Sequence, residues 1–117
     1  MDKLKPFAQT TVHCRIYQAD FDQVRDLMFA DPLPESYRRD VPAEKYALVF
    51  DGVVAAKDLE DIYRIFNIAH PAGYTGRSLS PTDVVEVDDG QEREFYICGN
   101  FGYDRANFDA AIIRKEF

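Results

Sequence analysis

With 117 residues, 46% hydrophobic and 30% charged, the chain has the length and composition for one folded domain around one core, and too little for two ordinary domains. Its formal net charge is −7, from 14 Lys plus Arg against 21 Asp plus Glu spread along the chain. That balance disfavours direct binding to nucleic acid or anionic membranes, because such binding draws on clustered Lys and Arg.

The first predicted element is a strand in TTVHCRIYQ, where Val12, Cys14 and Ile16 alternate with His13, Arg15 and Tyr17. In DFDQVRDLMFADP, Asp20 suits an N-cap with Gln23 three residues on. Phe21, Val24, Leu27 and Met28 follow at helical spacing until Pro32. DPLPESYRRDVPAE, with three prolines and mixed charges, is read as a surface loop. KYALVF predicts a second strand near the middle of a sheet, stopped by Asp51-Gly52.

KDLEDIYRIFN predicts a helix whose stripe of Leu59, Ile62, Tyr63 and Phe66 faces the core. Asp58 is its N-cap, and Glu60 and Asp61 complement the positive end of the helix dipole. VVEV and EREFYICG, joined by Asp88-Asp89-Gly90-Gln91, predict a hairpin, since an Asp-Gly pair tolerates the positive φ of a tight turn. The tail NFGYDRANFDAAIIRKEF suits either a helix or a last edge strand. These elements predict an α+β fold: a small, mainly antiparallel sheet packed on one face by two short helices, with a C-terminal β-hairpin, in a single domain spanning 1–117.

Most of the distinctive chemistry lies in FNIAHPAGYTGRSLSPTDVVEV, from Phe66 to Val87. Ser80-Pro81-Thr82-Asp83 matches a variant capping box, in which the Ser80 hydroxyl accepts from the Asp83 amide and the Asp83 carboxylate reaches back to the Ser80 amide. Ser80 and Asp83 are therefore read as structural capping residues, like Asp58. The catalytic alternative sets His70 as a base acting with Ser78 or Ser80, or with Asp83 as its orienting acid. No strained nucleophile turn of the G-x-S-x-G kind surrounds either serine, so no catalytic residue is assigned.

Metal binding finds no C-x-x-C or H-x-x-x-H pair, and His13 and Cys14 point to opposite faces of one strand, so neither a metal nor a cofactor is expected. Gly73-Tyr74-Thr75-Gly76 matches the bare G-x-x-G of nucleotide-clamping loops but is read as turn residues. Arg77 suits a salt bridge to one of the many acids, or a carboxylate or phosphate of a ligand. Cys14 and Cys98 are read as small buried residues. Phe101, Tyr103 and Phe108, beside Asp104, Arg105 and Asp109, form core packing or, if exposed, a contact patch. Neither a signal peptide nor an apolar run of membrane-spanning length is seen, which predicts a cytoplasmic protein.

VRDLMF, YALVFDGVV, DLEDIYRIFN, and HPAGYTGRSLSPTDVVEV leading to EFYICGNFGY together resemble the YodL-like family of small bacterial domains, from about Val24 to Gly102. The shared pattern is a phenylalanine-asparagine helix end, a histidine-proline, a glycine, a serine-leucine-serine and an aspartate-valine-valine strand entry. The chain has Arg77 where family members often carry histidine, and Pro81-Thr82 where they often carry valine-serine, which argues against a catalytic histidine or serine there. The resemblance implies an accessory domain, often on conjugative or phage-derived elements, that binds rather than turns over a substrate. The expected partner is another protein, met through a loop presenting His70, Tyr74 and Arg77. Two further readings are an acidic decoy that mimics nucleic acid and an enzyme centred on His70 and Asp83.

Overall fold

A computed structural model describes residues 7, 11–28, 30, 33–68, 70–71, 74, 76–88, 90, 92–99 and 102–114, with the side chains of Phe21 and Met28 outside that set. Five strands, β1 (Thr11–Ala19), β2 (Tyr46–Ala55), β3 (Val84–Asp88), β4 (Arg93–Gly99) and β5 (Gly102–Arg105), form one sheet in the order β2-β1-β3-β4-β5. Every neighbouring pair is antiparallel. Three helices, α1 (Phe21–Met28), α2 (Glu35–Arg39) and α3 (Leu59–Ile68), complete the α+β architecture that the sequence predicts.

The helices divide between the two faces of the sheet instead of sharing one. On one face, Leu59, Ile62 and Phe66 of α3 pack on Val12, Cys14, Ile16, Val85, Val87, Tyr96 and Cys98. On the other, Val24 of α1 and Phe108 of the tail pack on Tyr17, Ala19, Tyr46, Val84 and Ile97. This second layer explains why the alternation of β1 stops at Tyr17: beyond it, Tyr17, Gln18 and Ala19 are all buried. A register shift opposite Ile16 and Tyr17 leaves Val49 as an extra residue in β2, and both Val49 and Phe50 then pack on the α3 layer.

Asp58 caps α3 as expected, its carboxylate accepting from the Asp61 amide at 2.9 Å. Tyr63 departs from the predicted stripe and is 48% exposed. Asp20 begins α1 through its backbone carbonyl, which accepts from the Gln23 amide, while its carboxylate pairs with Arg114 of the tail. The proline-rich segment is not all loop. Pro34 sits just ahead of α2, where its missing N–H costs nothing, and Glu35 and Arg39 pair at i, i+4 across the helix.

β2 runs straight through Asp51-Gly52 and lies at the sheet edge, not near its middle. The glycine is tolerated because the Phe50 ring lies over its bare backbone: a Cβ at Gly52 would stand 2.9 Å from Phe50 Cζ. In the run YALVF, Tyr46, Ala47 and Val49 are buried, while Leu48 is 40% and Val53 further along 70% exposed. Gly90 adopts φ 93° in the β3–β4 turn, with its amide donating to the Asp88 carboxylate at 2.9 Å; Asp89 and Gln91 lie outside the described residues. The tail forms a short 3₁₀ turn at Ala110–Ile112, then a single parallel bridge from Arg114 to Ala47.

Candidate functional site

The corner between α3 and β3 is built around the Gln18 side chain, which leaves β1 on the α3 face at the point where the second layer begins. Its amide grips the Arg77 peptide from both sides: Nε2 donates to the Arg77 carbonyl at 2.8 Å and Oε1 accepts the Arg77 amide at 3.1 Å. Nε2 also lies 3.0 Å from Asp83 Oδ2. This close approach needs Gly76, since a Cβ there would stand 2.5 Å from Gln18 Oε1 and 2.8 Å from Val49 Cγ2.

Asp83 is fully buried and both its oxygens are engaged. Arg77 Nη2 donates to Oδ1 at 3.0 Å and the Ser80 amide donates to Oδ2 at 2.8 Å. Burial pushes the Asp83 carboxyl up to about 7, against the opposing pull of the Arg77 charge, the Ser80 amide and Gln18. The Ser80 amide bond is the half of the capping box that the sequence predicts. The other half differs: the Asp83 amide donates to the Ser80 backbone carbonyl at 3.0 Å, and the Ser80 hydroxyl turns back to the Ser78 carbonyl.

Ser80 to Asp83 therefore form a turn rather than a helix start. Pro81 precedes Thr82 at φ 81°, the arrangement of a type II turn, in which the left-handed position usually belongs to glycine. Thr82 is held there from three sides. Its amide donates to the Cys98 carbonyl at 2.8 Å, its carbonyl accepts from the Tyr46 hydroxyl at 2.7 Å, and the Cys98 amide donates to the Asp83 carbonyl at 2.8 Å. Because Tyr46 spends its proton on Thr82, Tyr37 of α2 must donate to Tyr46 across their 2.7 Å contact.

The three residues expected to face a partner have different surroundings. His70 is exposed, with Nε2 3.3 Å from the Ser78 hydroxyl and its ring against Tyr74. Tyr74 is half-buried against Phe66, and its hydroxyl donates to the Arg77 carbonyl. Burial pushes that hydroxyl up to about 12. Arg77 makes the ion pair to an acid that the sequence suggests, with Asp83 as its partner. His70 and Asp83 are not brought together as base and orienting acid, because the Asp83 oxygens belong to Arg77, Ser80 and Gln18. Gly73 and Thr75 of the G-x-x-G stretch lie outside the described residues.

A second polar cluster crosses the opposite face of the sheet, where the register sets Asp51, Arg15 and Glu86 side by side. Glu86 is fully buried; Arg15 Nη1 donates to it at 2.5 Å, Arg93 Nε at 2.6 Å and the Tyr17 hydroxyl at 2.6 Å. Burial alone would raise its carboxyl, yet the bonds from Arg93 and Tyr17 and the Arg15 charge hold it below the usual glutamate range. Sequence reasoning missed this cluster and Gln18. The available signals were a charge inside the valine run VVEV and an amide on the buried parity of Cys14 and Ile16.

Cys14 and Cys98 are free and buried, as expected. Tyr103 and Phe108 are core residues, and Phe101 lies outside the described set. Among the described residues no group of His, Cys, Asp and Glu is arranged to hold a metal, and no helix is long and apolar enough to cross a membrane.

A five-stranded antiparallel sheet with helices on both faces and a latched corner before β3 defines a small α+β domain. The model of the YodL-like domain family matches residues 13–108, and the chain belongs to that family. No curated protein and no solved structure gives a significant match to the chain.

Proposed function

We propose that the chain is a non-catalytic accessory domain that works by binding another protein. The observation that carries this reading is an open groove of about 770 Å³ between β4, the start of the tail and the segment after α2, with Phe95 and Phe108 on its floor and Ile112 among the charged residues of its rim. Aromatic and aliphatic side chains set among charged ones occur together at protein contact surfaces. The accessory character of the resembling family points the same way. The acids best placed for chemistry, Asp83 and Glu86, are buried and spent on internal partners.

The corner loop contributes to this reading through His70, which is its exposed member. Replacing Tyr74 or Arg77 would break the latch as well as any contact, so His70→Ala is the cleaner variant. The test is affinity purification of the tagged protein from its host with elution in a salt series. A partner retained at high salt supports a specific apolar interface. Loss at modest salt shows an interface held mainly by exposed charges, which salt screens, and supports the acidic-decoy reading where the captured partner is itself a nucleic-acid-binding protein. Capture of nothing at any salt overturns protein binding.

A further inference from the structure

The chemistry of the groove specifies what it holds. Its lining carries four carboxylates, Asp40, Glu44, Glu94 and Asp109, and two guanidinium groups, Arg93 and Arg105. Both arginines are already committed. Arg93 clasps Glu86 through Nε at 2.6 Å and Nη2 at 3.2 Å, while Arg105 pairs with Glu94 at 3.4 Å and lies over the Tyr96 ring. Asp40 and Glu44 are exposed and form no ion pair among the described residues, and the Asp109 carboxylate accepts only an uncharged donor, the Ala111 amide. Three negative charges thus have no cationic partner among the described residues, beside the apolar side chains of the floor. On that floor Phe108 is nearly buried, while Ile112 at the rim is 50% exposed.

Resting on the reading that the chain binds protein, we propose that this groove takes a cationic segment of the partner, with Lys or Arg side chains reaching Asp40, Glu44 and Asp109 and a large apolar side chain seated against Ile112 and Phe95. The charge excess repels phosphate and acidic peptides, and desolvation of the rim by an apolar anchor strengthens each charge pair. The groove is too large and too open for one small cation to fill, whereas a short stretch of polypeptide supplies charge and apolar surface together.

The test is an NMR titration of the full chain, ¹⁵N-labelled, with three probes: the capped hexapeptide of sequence KLKFKL, its counterpart ELEFEL, and spermidine. Amide shifts induced by KLKFKL are expected to concentrate at residues 40–44, 93–95 and 105–112. The double variant D40N/E44Q, altering two exposed side chains outside the core, is expected to weaken KLKFKL binding about fivefold or more, as loss of two partly screened charge pairs implies. Ile112→Ser should weaken it as well, and ELEFEL should leave the spectrum unchanged. Shifts scattered over the acidic surface, unaltered affinity in the double variant, or equal binding of ELEFEL would overturn the proposal. So would spermidine reproducing the same shifts at the same affinity, since a bare cation would then suffice. If the host partner is captured equally by wild type and D40N/E44Q, the groove assignment fails while protein binding stands. Capture of no partner is failure of the broader reading.

Discussion

At the scale of single residues, Thr82 concentrates the strain of the corner. A β-branched residue at φ 81° is costly, and the Thr82 hydroxyl is buried without a hydrogen-bond partner among the described residues. Glycine would remove both costs, against the lost packing of a small side chain and a larger loss of backbone entropy on folding. Thr82→Gly is therefore expected to stabilise the fold by about 1 kcal/mol in urea unfolding. A comparable loss of stability would mean that the Thr82 side chain supplies packing that outweighs its strain.

Asp83 supplies a prediction of a different kind. Its carboxyl titrates at about 7 in the folded chain against an ordinary value of 3.8, so between these pH values the native state holds a proton that the unfolded state releases. Stability from this group is full below the unfolded value and is lost as pH rises through about 7. Asp83→Asn has no such group, so the stability of wild type relative to the variant should decline steadily from pH 4 to pH 8. The comparison isolates Asp83 from Glu86, whose lowered carboxyl acts at the acid end and with the opposite sign. Parallel profiles for the two proteins would sink the assignment.

At the scale of elements, the loop between α3 and β3 keeps its shape because one amide side chain of β1 binds one peptide unit within it. Gly76 is the clearance for that contact. Gly76→Ala would push its methyl into Gln18 and Val49, and the cost is expected at about 1–3 kcal/mol, measured as a lowered unfolding midpoint with loss of the Arg77 amide's hydrogen-exchange protection. An unchanged midpoint would show that the loop can lift off β1 freely. At the end of this loop the capping box of Ser80 and Asp83 is half formed. Spacing alone identified the Asp83 to Ser80 amide bond, whereas the choice of a turn over a helix depends on Cys98 and Tyr46, which the fold brings from distant strands.

The second strand shows the opposite limit. Its run of apolar residues predicts a central position, yet β2 is an edge strand, because burial of a strand end depends on which layers cover it and not only on its neighbours within the sheet. Asp51-Gly52 predicts a stop for a different reason: the ring that covers Gly52 belongs to Phe50, two residues away on the same strand, and turn propensities take no account of that packing.

At the scale of the whole molecule, the sheet and the layer formed by α3 enclose both cysteines on one face of the sheet. Cys14 and Cys98 are buried at 0% and 1% exposure, and burial raises both thiols, Cys98 to about 12. Neither should react with a thiol reagent until the sheet opens, so labelling should proceed at the rate of global unfolding and accelerate with urea in step with it. Rapid labelling of either thiol in native buffer would show that one layer detaches without the rest.

Elements whose signals are local could be read from the order of residues. The Leu59–Phe66 stripe with its Asp58 cap, the valine strand entering at Asp83, the Asp-Gly hairpin and the family pattern all depend on neighbours within a few residues, where spacing and φ preference act directly. The remaining features arise only in the folded chain. Tertiary structure divides the helices between two faces, buries Glu86 among Arg15, Tyr17 and Arg93, turns Tyr74 and Arg77 inward, and assembles a groove from the segment after α2, β4 and the tail. Those outcomes depend on pairings between residues up to 94 positions apart, as in Asp20 with Arg114, and side chains brought together across such distances are selected by the register and layering of the finished sheet, which no local pattern encodes.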